Sequence, residues 1–254
     1  MEVHHHPHVE KKNFKEYLLE GLMIFLAVTM GFFAESLREY ISDKNREKDF
    51  MRSMIQDLKT DTAVMNETLR VYTKICKKSD TILMRLKSGE PDPGIISSLV
   101  SQSFWRYSGF AYNNRTIEEL KNAGNFRLIS NKAVADSILK YDGLMNSYVL
   151  NQYNDLKYTM LSFKDAEAKV VPYSEFENSF LRNNSLPVYF DTSDFSMPGH
   201  HSLITQDKSL IAYYYNRIFI HETLCITFIA TVHDMRDLAA GLMVFIKKEY
   251  HLED

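Results

Sequence analysis

The sequence predicts an all-α protein: an N-terminal transmembrane helix followed by a bundle of long, heptad-patterned helices. Three observations carry this. The stretch 17–37 is apolar on every side, a seam of apolar residues at alternating steps of four and three runs from 51 to 86, and the 254 residues include only 9 Gly and 6 Pro. Scarce glycine and proline favour long helices over a many-turned β architecture.

The first segment reads Tyr17-Leu-Leu-Glu-Gly-Leu-Met-Ile-Phe-Leu-Ala-Val-Thr-Met-Gly-Phe-Phe-Ala-Glu-Ser-Leu37. Its uncharged centre, 21–34, gives only about 21 Å of helix at 1.5 Å per residue. A hydrocarbon core is about 30 Å thick, so a crossing needs the whole of 17–37. That puts Glu35 at one boundary and Glu20 slightly inside the other. A core helix of a soluble protein is the alternative that so short an uncharged run allows. Phe25, Ala27, Val28, Met30, Phe32 and Phe33 leave no polar stripe, however, and a helix on a domain surface needs one. Phe14, Tyr17 and Tyr40 suit an aromatic belt. No small-x-small exit site follows, so the segment reads as an anchor and not as a cleaved leader. Lys11, Lys12 and Lys15 precede it and Arg38, Lys44, Arg46 and Lys48 follow it, a near balance that fixes orientation poorly. A short tail before a large body favours the tail inside, which in a bacterium means the inner membrane with the body in the periplasm.

The chain then divides into a His-rich tail at 1–16, the transmembrane helix at 17–37, a polar helical stalk at 38–50 and a helical-bundle body at 51–254. In the body, Met51, Ile55, Leu58, Thr62, Met65, Leu69, Tyr72, Cys76, Ser79, Leu83 and Leu86 form the seam. A second stripe of Met54, Val64, Val71, Ile75 and Ile82 widens it beyond a two-stranded coiled coil, towards packing inside a bundle. Gly89-Glu-Pro-Asp-Pro-Gly94 makes a loop, and a short helix runs from about Ile95 to Phe104. Thr116-Ile-Glu-Glu119 is a capping-box pattern that opens a helix, and Gly124 is placed to end it. Asn131 caps a helix reaching about Lys169, the region 171–202 is irregular, and a last helix runs from about Thr205 to Tyr250.

Composition limits the function classes. Hydrophobic residues at 45% and charged residues at 25% suit a globular body, and a net charge of −3 with interspersed signs leaves no nucleic-acid footprint. Cys76 and Cys225 read as two buried thiols, with a single disulfide between them as the other reading. Gly-rich phosphate loops, a nucleophile elbow and paired CxxC motifs are absent from the sequence. No catalytic set emerges, and no cofactor is expected.

Four groups remain as candidates. His4, His5, His6 and His8 form a tail able to hold a transition metal weakly. His221-Glu-Thr-Leu-Cys225 echoes the His-Glu-x-x-His helix of zinc proteases, with cysteine in the last place, and so raises a metal-dependent hydrolase using His221, Glu222 and Cys225. A satisfied core histidine is the competing reading. Glu20 is an ionisable group at the edge of a membrane segment, either reaching interfacial water or serving an ion- or proton-coupled complex. Trp105, Tyr107, Phe110 and Tyr112, beside Asn113, Asn114 and Arg115, line a ligand pocket or cap the bundle core.

Three stretches also carry a family likeness: Glu2-Val-His-His-His with the apolar run Phe14-Lys-Glu-Tyr through Ala34-Glu35, then Thr116-Ile-Glu-Glu-Leu-Lys-Asn-Ala-Gly-Asn-Phe-Arg-Leu-Ile129, then Lys247-Lys-Glu-Tyr-His-Leu-Glu253. On these the chain resembles a family of uncharacterised bacterial proteins with one N-terminal transmembrane helix and a helical body. The resemblance implies an anchor and an architecture, and it transfers no active site. The expectation is therefore a single-pass membrane protein that acts by contacts, as scaffold, oligomeric subunit or sensor-like module. Its partners are the lipid bilayer and other proteins or further copies of itself.

Overall fold

The longest helix, α1, spans Phe14–Lys87 and is capped reciprocally at its start. The Asn13 carbonyl accepts the Glu16 N–H, and the Glu16 carboxylate accepts the Asn13 N–H. The computed structural model describes residues 13–88, 92–103, 110–122, 124–173 and 203–253. They are helical with no strand among them. The chain forms two compact units, Met1–Phe50 and Met51–Asp254, and α1 contributes to both.

In the first unit the side chains of α1 face outward all round. Phe25, Met30, Phe32 and Phe33 are each at least 65% exposed. Within this apolar run Thr29 bonds back to the Phe25 carbonyl at 2.7 Å, so its polar hydrogen is satisfied within the helix. Arg38 grips the Glu35 carboxylate through Nε, at 2.9 Å, and through its terminal nitrogen. The stalk is exposed as a polar helix should be, with a correction at Glu47. That residue is 2% exposed and accepts a hydrogen bond from Lys44 Nζ at 2.9 Å.

In the second unit the apolar seam of α1 is the buried face. Met51, Met54, Leu58, Met65 and Tyr72 are fully covered. Helix α2, Pro93–Ser103, begins two residues before the sequence suggests, because the Asp92 carboxylate accepts from the N–H groups of Gly94 and Ile95 and proline occupies the first helical position. Helix α3, Arg115–Asn122, ends where Gly124 takes φ 62°, a left-handed turn suited to glycine, before a 3-10 turn at Asn125–Leu128.

Asn131 caps α4, Lys132–Leu144, by accepting from Ala133 and Val134 N–H. The helix expected to continue unbroken to about Lys169 is interrupted by a π turn at Met145–Val149 before α5, Leu150–Ala168. Asn146 Nδ2 donates to the Asp142 carbonyl, and Ser147 Oγ to that of Gly143. These side chains compete for carbonyls at the widened turn. The last helix, α6, spans Lys208–Tyr250 and starts three residues later than expected, because Asp207 accepts from Ser209 N–H. At its end His251 adopts φ 50°, and the N–H groups of His251 and Leu252 close on the Lys247 carbonyl.

One core cluster gathers Ile82, Leu83 and Leu86 of α1, Ile96 and Val100 of α2, Phe163 and Ala166 of α5, and Tyr214 and Ile218 of α6. Helices α1 and α6 run antiparallel: Asn66 meets Arg236 at 3.5 Å, and six residues on Tyr72 meets Phe228, eight residues back, at 5.1 Å between ring centroids.

Candidate functional site

Among the described residues a dense polar cluster is built on Asp57 and Asp61, one turn apart on the buried face of α1 and 1% and 2% exposed. Both hold the segment that enters α3. Asp57 Oδ1 accepts from Asn113 Nδ2 at 3.0 Å and from Arg115 at 3.2 Å, and its Oδ2 accepts the Thr116 N–H at 2.9 Å. Asp61 Oδ1 accepts the Asn113 N–H at 2.8 Å, and Oδ2 accepts the Tyr141 hydroxyl of α4 at 2.8 Å. Burial pushes the Asp61 carboxyl up to about 6, against the hydrogen bonds from Asn113 and Tyr141 that favour its charge. Next to this, Asp142 of α4 accepts from the Tyr112 hydroxyl at 3.0 Å, Lys121 at 2.5 Å and Asn146 at 3.0 Å.

Chemically this is a clamp. Each carboxylate oxygen of Asp57 and Asp61 has a donor from the chain, and both side chains are buried. The cluster fastens the 113–116 segment and α4 to α1. It also corrects the capping-box reading: the first turn of α3 is capped by Asp57, reaching across from α1, while Thr116 sits inside the helix as its second residue.

A further buried carboxylate, Glu167 of α5, is 1% exposed and similarly occupied. It accepts from Lys164 at 2.8 Å, Tyr173 at 2.7 Å and Tyr214 at 3.1 Å.

The aromatic stretch is divided in its fate. Phe110 is buried and packs on Tyr153 and Phe228, with ring centroids 6.3 and 6.1 Å away. Tyr112 packs edge-on against Tyr141. Tyr112 and Arg115 therefore take part in the clamp and the core beside it. Trp105 and Tyr107 lie outside the described residues, as do His4, His5, His6 and His8.

His221, Glu222 and Cys225 do lie on the buried face of α6. His221 is stacked on Phe163, with ring centroids 5.5 Å apart. Its Nδ1 lies 3.2 Å from Thr159 Oγ1 and its Nε2 lies 3.5 Å from Cys225 Sγ. Since the Thr159 hydroxyl donates to the Asp155 carbonyl, its oxygen accepts from His221 Nδ1–H, and Nε2 is left as the acceptor facing the thiol. Burial and the charge of Lys164 push the imidazole down to about 4, so it is neutral at pH 7. Among the described residues no three His, Cys, Asp or Glu side chains converge as metal ligands. Glu20 is exposed on the outer surface of α1.

A groove of about 450 Å³ opens where Arg52, Ile55, Gln56 and Lys59 of α1 face Lys247 and the chain after it, His251, Leu252 and Glu253. No signal in the sequence marks it, because it arises only from α1 and the end of α6 lying side by side. No protein-family model, curated protein or solved structure matches the chain.

Proposed function

We propose that this chain is a single-pass membrane protein of the bacterial inner membrane that acts by protein–protein contacts and carries out no catalysis. One observation supports it above others: the most apolar 18-residue window of α1 has none of its residues buried in the chain. So much uncovered apolar surface is costly in water and is at home in a bilayer. On the body, Phe219, Ile220, Ile226 and Val244 of α6 are each at least 45% exposed, as are Tyr148, Tyr158 and Leu161 on the π turn and α5. These give the body apolar positions for partners. The buried carboxylates Asp57, Asp61 and Glu167, by contrast, are occupied by the chain's own donors.

The test is photo-crosslinking in native membranes from a benzoylphenylalanine placed at Phe219 or Ile226, with Lys248 as control. A discrete adduct from the two apolar positions and none from Lys248 is expected. Equal, diffuse labelling at all three would remove the contact role. A reporter fused after Asp254 that is active only outside the cytoplasm fixes the side: activity is expected, and its absence would place the body inside.

A further inference from the structure

We propose that Cys76 and Cys225 form a closing dithiol, an oxidisable site whose disulfide staples α1 to α6.

The placement follows from the register of the two helices. From the Tyr72–Phe228 ring contact, four residues forward along α1 reach Cys76 and three back along α6 reach Cys225, so the antiparallel pair brings both thiols to one level of the seam. They are in thiol–thiol contact as free cysteines, Cys76 half-buried at the rim and Cys225 fully buried behind it. The environment makes them unequal. The Cys225 S–H directed at Cys76 holds the Cys76 thiol below its ordinary value, and that contact together with burial pushes Cys225 up. Glu222 opposes ionisation of both. Behind Cys225 stands the neutral His221, its Nε2 lone pair 3.5 Å from the sulfur.

This arrangement divides the work of thiol–disulfide exchange. Cys76, nearer the surface, attacks one sulfur of a disulfide-bearing oxidant. That S–S bond breaks, one thiolate leaves and takes up the proton given up by Cys76, and a mixed disulfide forms on Cys76. The Cys225 sulfur then attacks the Cys76 sulfur and expels the second thiolate, which takes up the Cys225 proton as it leaves. Two protein thiols are oxidised by two electrons, and the oxidant is reduced to two thiols. The bond closes a loop of roughly 150 residues, long enough for a large constraint on the unfolded chain.

The experiment uses the full chain, reduced and purified in a mild detergent, with glutathione disulfide as the probe. After an acid quench the free thiols are alkylated and the protein is mapped by mass spectrometry. The expected product is a monomer lighter by two hydrogens, with neither thiol alkylatable and a peptide joining Cys76 to Cys225. It melts at a higher temperature than the reduced chain. C225S is expected to stop at glutathione on Cys76. Three outcomes on the wild-type chain would each overturn the proposal: two alkylated thiols, a persistent glutathione adduct on Cys76, or a link between two chains. The wild-type map decides the matter even if C225S fails to fold.

Discussion

Among the described residues two helices are long and apolar enough to cross a membrane, α1 and α6, yet the chain treats them differently. The most apolar window of α1 has no buried residue, and that of α6 has a third of its residues buried. Along α6 the buried set Tyr214, Ile218, Cys225, Phe228, Val232, Met235, Ala239, Leu242 and Ile246 recurs at steps of three, four or seven. Asn216, His233, Asp234 and Asp237 lie among its exposed positions. The early part of α1 has no such alternation. Mean apolarity therefore separates neither helix from a core helix. The angular distribution of polar residues does.

The comparison can be broken most forcefully by truncating a large side chain on each helix. Phe228→Ala empties a fully buried site between Tyr72 and Phe110 and is expected to cost about 4 kcal/mol. Phe25→Ala removes an exposed ring of α1 and is expected to stay within about 0.5 kcal/mol. Denaturant unfolding of both variants in the same detergent, followed by circular dichroism, reads the difference. Equal losses would mean that the early part of α1 is packed as tightly as α6.

Polar groups sharpen the same contrast. Asp57→Ala strips Asn113 and the Thr116 N–H of a buried acceptor and is expected to destabilise the body by about 3 kcal/mol. Amide exchange at Thr116 should accelerate together with that loss. Protection unchanged at Thr116 would show that Asp57 does not cap α3.

A subtler effect is in pH. Asp61 is raised to about 6 from 3.8, so its folded form holds a proton that the unfolded chain has released, and this contribution to stability grows as pH falls through that window. His221 is lowered to about 4 from 6.5. Here the unfolded chain binds the proton first, so its contribution is present above 6.5 and is lost as pH falls towards 4. The two slopes oppose each other. Asp61→Asn leaves that of His221 uncompensated, and stability should then fall by about 1.4 kcal/mol per pH unit more than in wild type between pH 6 and 4. A mutant profile parallel to wild type would contradict the raised Asp61.

The smallest effect is expected at Glu20. Glu20→Gln should leave membrane retention and abundance unchanged in fractionated cells, because the carboxylate sits at an exposed position near the start of α1, where a membrane-edge residue is expected to reach interfacial water. Loss of the chain from the membrane on this change would assign Glu20 a task beyond marking an edge.

The sequence carried the helices and the buried seam well, because a long apolar period survives without knowledge of the partner helix. Met51, Leu58, Met65 and Tyr72 were all marked by spacing alone and are buried. The clamp was harder to see. Its one sequence signal is a gap: the second apolar stripe of α1 runs from Met54 to Val64 and skips two helical steps, and Asp57 and Asp61 occupy those steps. Their donors lie 52 to 80 residues away, a distance that no local pattern spans. The capping-box reading of Thr116 failed for the same reason, since a carboxylate from α1 took the capping place. The π turn and the groove between Arg52 and His251 depend on local competition for carbonyls and on helix placement, which apolar periodicity does not encode.

The central claim is that the apolar part of α1 anchors the chain while α6 belongs to the body. Alkaline carbonate extraction of membranes from cells expressing either the full chain or a chain beginning at Asp49 tests it directly. The full chain is predicted to stay in the pellet, and the shortened chain to appear in the supernatant with a helical circular dichroism spectrum. A shortened, folded chain that remained in the pellet would show that α6 or another part of the body holds the membrane, and would contradict the account.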